Sequence, residues 1–396
     1  MSDTLLFLAP APPHPSGGGG ALRMAQMLRF LGSRYRVEVI APRLAGSEAS
    51  AAWLKQYGVQ MTLVTPASSR LRRWLRLGPY EVDARLEAAI HRRLGEGDVG
   101  AVLVQKMAML PYLPKSALPK GVLPPVILDL WAYGLIGIRR ALRHERGLGS
   151  RLRNLLRLIR FRFFNVRWPD AKAVLLVSRV DEQRCLEDHP GSPTVMVPNG
   201  VDCSAIVPAA SPAHDASPIL LFTGDMGFDP NIEAAERLAR TVFPAIRSRF
   251  PAARLQLVGR NPGPRVQSLA GDGVEVTGGV PDMLPYLQQA AIYLAPLHSG
   301  AGTRTKLLEA FAAGLPVITT PTGLEGIEAE AGKELLLAAD DAAMADAAVA
   351  LLADDAKRQA LGAAARELAE QRYDWQACFT PLQQILDPLF GRDKQS

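Results

Sequence analysis

Short apolar runs recur along the chain, each followed by a loop of small or polar residues and then by apolar positions at helical spacing. In the first half the runs predict strands at residues 4–9, 37–40, 58–64, 99–104, 126–130, 173–178 and 194–197. In the second half they predict strands at 219–223, 254–258, 273–277, 292–295, 317–318 and 334–337. After the first run, Leu22, Met24, Met27, Leu28 and Leu31 share one face of a helix. After residue 223 a helix turns Ala234, Ala235, Leu238 and Val242 inward, with Asp229 as N-cap and Pro230 as first helical residue. Between 295 and 317 a helix is expected from about 303 to 313, with Leu308, Phe311 and Leu315 on its apolar side. Gly314 stands where a left-handed C-cap is wanted, and Pro316 bars further helix. Helical stretches at 342–353, 355–372 and 375–388 close the chain.

Strand, loop, helix, strand, repeated in both halves, predicts an α/β fold of two doubly wound, Rossmann-like domains with parallel sheets facing a cleft. At 396 residues the chain is too long for one core. Residues 209–218, rich in Ala, Ser and Pro, break the pattern and read as part of a linker. The predicted division is 1–205, a linker at 206–217, 218–372, and a C-terminal helical segment at 373–396. Hydrophobic content of 48% with 21% charged residues marks a globular protein, and a net charge of +6 favours an anionic partner. Cys185, Cys203 and Cys378 are odd in number and widely spaced, which argues against a disulfide framework or structural zinc and for a cytoplasmic setting. No signal-peptide pattern or membrane-spanning run is present in the sequence.

The chemistry concentrates at the start of the helix near 303. Gly300 and Gly302 let backbone approach a ligand, and free N–H groups at a helix start favour phosphate. Arg304 and Lys306 add cations where the helix dipole disfavours them unless an anion is present. Glu309, three residues after Lys306, can accept two ribose hydroxyls; the alternative is an exposed ion pair between Lys306 and Glu309. Gly17 to Gly20 follow the first strand and Glu38 lies in the second, as in a dinucleotide site; a flexible loop over the cleft fits equally. Asp129 ends a strand, where open sheets bind ligands, or else caps the next segment. Trp131 and Tyr133 follow it. His14 and His298 are loop histidines, more often merely polar than catalytic. Ten arginines crowd residues 139–168 among leucines and aromatics, and a smaller cluster spans 70–76. These suit an anionic membrane surface, with a core-facing helix bearing a solvated basic face as the alternative. Nucleic acid is disfavoured, because the apolar residues are helix-spaced and offer no stacking platform.

The sequence resembles retaining glycosyltransferases of the GT-B fold, and most closely glycosyltransferase family 4. The resemblance is strongest over 195–376. It rests on residues 197–202, on Phe222, Thr223, Gly224 and the loop to Asn231, on Leu257, Val258 and Gly259, on Gly279, Val280 and Asp282, and on residues 302–317. It implies a hexosyltransferase whose C-terminal domain holds a nucleotide-sugar. Gly224, Val280, Gly302, Thr303 and Glu309 would bind the donor, with Glu309 on the ribose, Val280 near the base, and Arg304 and Lys306 facing the diphosphate. The N-terminal domain would hold a lipid-linked or saccharide acceptor, with Gly18 and Gly19 closing over the donor phosphates. The segment at 373–396 would cross back to the N-terminal domain. Asp129 is the candidate acceptor-side base, and His14, Trp131 and Tyr133 are the other acceptor-side candidates. No Asp-x-Asp occurs, so no metal or other cofactor is expected. Ala301 stands where many members carry a second Glu, and residues 224–227 lack the usual cations of that loop. The basic clusters add an expected role in polysaccharide or glycolipid assembly, cytoplasmic and peripheral on the inner membrane. Rival readings are an NAD-dependent oxidoreductase, a GT-B epimerase, and a non-catalytic membrane-surface adaptor.

Overall fold

The computed structural model describes residues 4–15, 19–67, 82–114, 122–131, 133, 155, 171–210, 217–299 and 304–392. The arginine clusters at 70–76 and 139–168 lie outside the described residues, Leu155 excepted. Two compact units emerge: Met1–Pro198 with Phe379–Ser396, and Asn199–Cys378.

In the first unit the described strands are β1 (Thr4–Leu8), β2 (Arg36–Pro42), β3 (Gln60–Val64), β4 (Val99–Gln105), β5 (Val126–Leu130), β6 (Ala173–Leu176) and β7 (Thr194–Met196). They form one sheet in the order β3-β2-β1-β4-β5-β6-β7, with every pair parallel. β1, β5 and β6 are buried at every position, which is why they read as continuous apolar runs. The order reverses between β1 and β4, the switch point where open sheets leave a ligand crevice beyond their carboxyl ends. The helix Gly19–Gly32 buries Met24, Met27, Leu28 and Leu31 as its spacing predicts. It also buries Arg23, which spacing did not predict.

Arg23 and Asp129 are both wholly buried. The guanidinium donates from Nε to Asp129 Oδ2 at 3.0 Å and from one terminal nitrogen to Oδ1 at 2.8 Å. It also donates to the carbonyls of Val197 and Pro198 at 2.9 and 3.0 Å. One charge pair therefore ties the first helix, the end of β5 and the segment after β7.

The second unit repeats the plan. Its described strands are β8 (Ile219–Thr223), β9 (Arg254–Val258), β10 (Val274–Gly278), β11 (Ile292–Ala295), β12 (Val317–Thr319) and β13 (Leu336–Leu337). They form a parallel sheet in the order β10-β9-β8-β11-β12-β13, with its switch point between β8 and β11. The helix Asp229–Arg237 buries Ala234 and Ala235 and continues through a π turn, Leu238–Val242, into Phe243–Arg247. Its N-cap is Phe228 rather than Asp229, because Phe228 is the extended residue whose carbonyl accepts from Asn231 and Ile232. Asp229 instead places its charge in the first turn, where the dipole favours it. The helix Thr305–Ala312 ends as expected. Gly314 has φ +69°, its N–H donates to Phe311 O, and Leu315 N donates to Ala310 O, the paired bonds of a Schellman motif.

Residues 199–205, placed with the first domain by sequence, hydrogen-bond into the second unit. Val201 N donates to Tyr373 O at 2.7 Å, Trp375 N to Val201 O at 3.2 Å, and Cys203 N to Asp374 Oδ2 at 3.1 Å. The last helix, Trp375–Leu389, starts in the second unit and is assigned to the first from Phe379 onward. Among the described residues no helix is long and apolar enough to cross a membrane.

Replacing Arg23 by Met should cost about 3–5 kcal/mol in urea unfolding, because it strands a buried carboxylate. Adding Asp129→Leu should recover most of that loss; a double variant as unstable as the single would contradict the pairing.

Candidate functional site

At the carboxyl ends of β8 and β9 the backbone is drawn unusually close. A Cβ on Gly259 would lie 1.6 Å from Gly224 O, and one on Gly224 would lie 2.7 Å from Lys306 Nζ. Only glycine fits either place. Gly224 N donates to Val258 O and Met226 N to Arg260 O, so the loops after β8 and β9 run side by side. The Asp225 carboxylate fastens them, accepting from Gly227 N at 3.0 Å, Arg260 Nε at 3.1 Å and Asn261 Nδ2 at 3.2 Å.

Lys306 enters this nest from the first turn of the helix Thr305–Ala312. Its Nζ donates to Asn231 Oδ1 at 2.6 Å and lies 4.5 Å from the centroid of the buried Phe222 ring. Asn231 is held in turn by donating to Asp225 O at 2.8 Å. Desolvation lowers the Lys306 ammonium to about 7, Arg304 pushes the same way, and Glu309 opposes. Desolvation raises Glu309 to about 7 against the pull of Lys306. The exposed ion pair weighed from sequence does not form: both side chains are partly buried, and the ammonium turns to Asn231. Arg304 occupies the N-cap position, nearly buried, with a guanidinium nitrogen 3.4 Å from Ser299 O. The helix thus begins with two cations and no acid in its first turn. Chemically, such a start suits a diphosphate, which would supply the charge the site lacks.

Gly224, Arg304, Lys306 and Glu309 therefore meet on one sheet edge. Val280 follows β10, partly buried, at the outer end of the same edge. Gly302 and Thr303 lie outside the described residues, as do Ala301 and Gly18. Asn231 and Phe222 were quoted in the sequence motif without a role; their task is to hold the Lys306 ammonium.

In the first unit Gly19 is exposed at the start of its helix, His14 is half-buried, and Trp131 is half-buried after β5. Three sequence readings are corrected here. Asp129 is not placed to act as a base, because both carboxylate oxygens are bound by Arg23 and no water reaches it. Tyr133 is a core residue, 1% exposed, with its N–H donated to Asp181 Oδ1 at 2.7 Å. Glu38 lies within β2 rather than at its end, and Arg93 Nε binds it at 2.5 Å, so it is not available to a ribose. In the second unit, His298 is exposed.

Residues 217–354 match the family described as Glycosyl transferases group 1, a stretch that includes Gly224, Val280, Arg304, Lys306 and Glu309. The chain is 32% identical over 213 residues to a phosphatidyl-myo-inositol mannosyltransferase of Mycobacterium leprae, covering 50% of this chain and 54% of the relative. It spans about half the length of the curated relatives it matches. Among solved structures, a sucrose-phosphate synthase of Thermosynechococcus elongatus aligns over 99% of this chain and 100% of its own, with TM-score 0.69 and 17% identity. HepE of Anabaena, solved in complex with UDP, aligns over 98% and 100%, with TM-score 0.66 and 16% identity. These are GT-B structures, and the two Rossmann-like, parallel-sheet units give this chain the same fold class.

Because Lys306 is lowered to about 7 and only its charged form pairs with phosphate, nucleoside diphosphate affinity should fall as pH rises above 7. The fall should approach about tenfold per pH unit. Calorimetric titrations with UDP and GDP should show this slope in the wild type and a clearly shallower one in Lys306→Ala, where Glu309 still titrates.

Proposed function

We propose that the chain is a glycosyltransferase that moves a sugar from a nucleotide-sugar held by the second unit to an acceptor hydroxyl, with retention of anomeric configuration. The observation that carries this reading is the Lys306–Glu309 helix start, set at a switch point inside the stretch that matches group 1 glycosyl transferases. Glu309 accepts the ribose hydroxyls. Lys306, Arg304 and the helix N–H groups meet the charge of the departing diphosphate, the place where fixed positive charge lowers a barrier most. The acceptor hydroxyl attacks an oxocarbenium-like carbon from the face the nucleotide leaves, and the absence of Asp-x-Asp supports a transfer without a resident metal. With Asp129 bound to Arg23, the acceptor proton goes to another group or to the leaving phosphate.

The relatives are named for transfer of mannose and for phosphatidyl-myo-inositol, which makes activated mannose and a lipid acceptor the first pair to test. With the basic clusters at 70–76 and 139–168, this supports glycolipid or polysaccharide assembly at the inner membrane face, the protein being peripheral there.

Nucleotide-sugars should raise the unfolding temperature where NAD does not, and a donor panel should give turnover. Lys306→Ala and Glu309→Ala should each lower that turnover by about 10²–10³-fold while circular dichroism stays that of the wild type. Wild-type rates in either variant would sink the assignment.

A further inference from the structure

Lys106 directly follows β4, at the carboxyl edge of the first sheet and beside its switch point. Its backbone has φ 63°, a region that costs a residue with a long side chain about 1–3 kcal/mol. The conformation is held by Lys106 N donating to Asp129 O at 2.9 Å and by Met109 N donating to Lys106 O at 3.1 Å. The side chain crosses Trp131, with Nζ 3.7 Å from the ring centroid.

That ring is itself fixed. Its Nε1 donates to the buried Gln105 Oε1 at 2.5 Å. Gly20 lies so close that a Cβ there would fall 1.8 Å from the ring. Two residues before Trp131 in the chain, Asp129 is clamped by Arg23. Gly20 and the Lys106 ammonium thus both lie against an indole that is itself held in place.

Stability alone does not account for this arrangement. An exposed cation–π contact contributes about 0.5–1 kcal/mol, less than the backbone conformation costs. Among the described residues no carboxylate pairs with Lys106, and desolvation lowers its ammonium below the ordinary lysine range. A fixed cation with no counter-charge among the described residues, at the ligand edge of a sheet, is suited to an anion that arrives on a ligand.

We infer that Lys106 is a specificity-determining residue that selects an acceptor carrying a phosphate or carboxylate next to the hydroxyl that reacts, with Trp131 positioning its ammonium. The inference rests on the reading of the chain as a glycosyltransferase whose acceptor binds the first unit. Acceptor charge becomes part of recognition, and a neutral sugar end binds poorly.

The test uses the full chain with Lys306→Ala as background, so that the cation of the second unit does not compete. Glucose, glucuronate and glucose 1-phosphate are titrated by calorimetry and intrinsic fluorescence. At least one charged ligand should bind about tenfold or more tighter than glucose, as expected of a charge-assisted contact. The tighter of the two identifies the acceptor group as carboxylate or phosphate. Adding Lys106→Met should abolish the preference, and adding Trp131→Phe should remove the fluorescence change and weaken binding. Lys106→Gly should lose the preference while the unfolding temperature stays level or rises, since glycine relieves the strain. Equal binding of charged and neutral sugars, no detectable charged ligand, or a preference that survives Lys106→Met would each overturn the inference. UDP and GDP binding to the otherwise wild-type chain is measured alongside. Its loss would sink the transferase reading, whereas its retention without an anion preference would sink only the role of Lys106.

Discussion

Lys306 is kept where its own charge is disfavoured. Phe222 lies under it, Gly224 allows it to come close, and Asn231 is its hydrogen-bond partner. Most surface lysines reach into water and hold their proton firmly. This one is held against an apolar floor at a helix start already short of negative charge. The cost of that placement would be offset by an entering anion, which is the physical basis of the donor site proposed above. The glycine contacts between the β8 and β9 loops, the Asp225 clasp and the helix end at Gly314 all serve to keep that one nitrogen in position.

Both units share one strand order, yet their ligand edges are built differently. In the second, glycines let the loops after β8 and β9 run side by side, and the Lys306 ammonium is tucked between Phe222 and Asn231. In the first, a buried Arg23–Asp129 pair ties the edge together and an indole held by Gln105 stands after β5. Repetition of a scaffold supplied two crevices; what fills them decides which end of a reaction each can serve.

Much of this was readable from residue order alone. The inner strands β1, β5, β6, β8, β11 and β12 are buried throughout, and a parallel sheet covered on both faces leaves an unbroken apolar signature. The grouping of Arg304, Lys306 and Glu309 was visible because all three belong to one short helix. Arg23 and Asp129 stand 106 residues apart, and no local pattern reveals that a guanidinium on one helix closes over a carboxylate on a distant strand. The same distance effect hid Arg93 from Glu38 and Asp181 from Tyr133. The helix Ala84–Gly95 is hidden in the sequence, although Leu86, Ile90 and Leu94 follow helical spacing, because charged and polar residues fill the positions between them. Lys106 carried no signal at all, since a positive φ is a property of packing and not of the lysine.

The ladder between Val201 and Tyr373 has a further consequence. It brings the two ends of the second unit together, with Gly200 packed against Trp375. A body whose entry and exit touch is topologically a plug-in module: the first unit's chain departs once, closes a complete Rossmann-like loop, and returns to where it left. Such a module lends itself to excision as one continuous polypeptide and to grafting into other hosts, so the second unit can be studied apart from the first by cutting at a single seam.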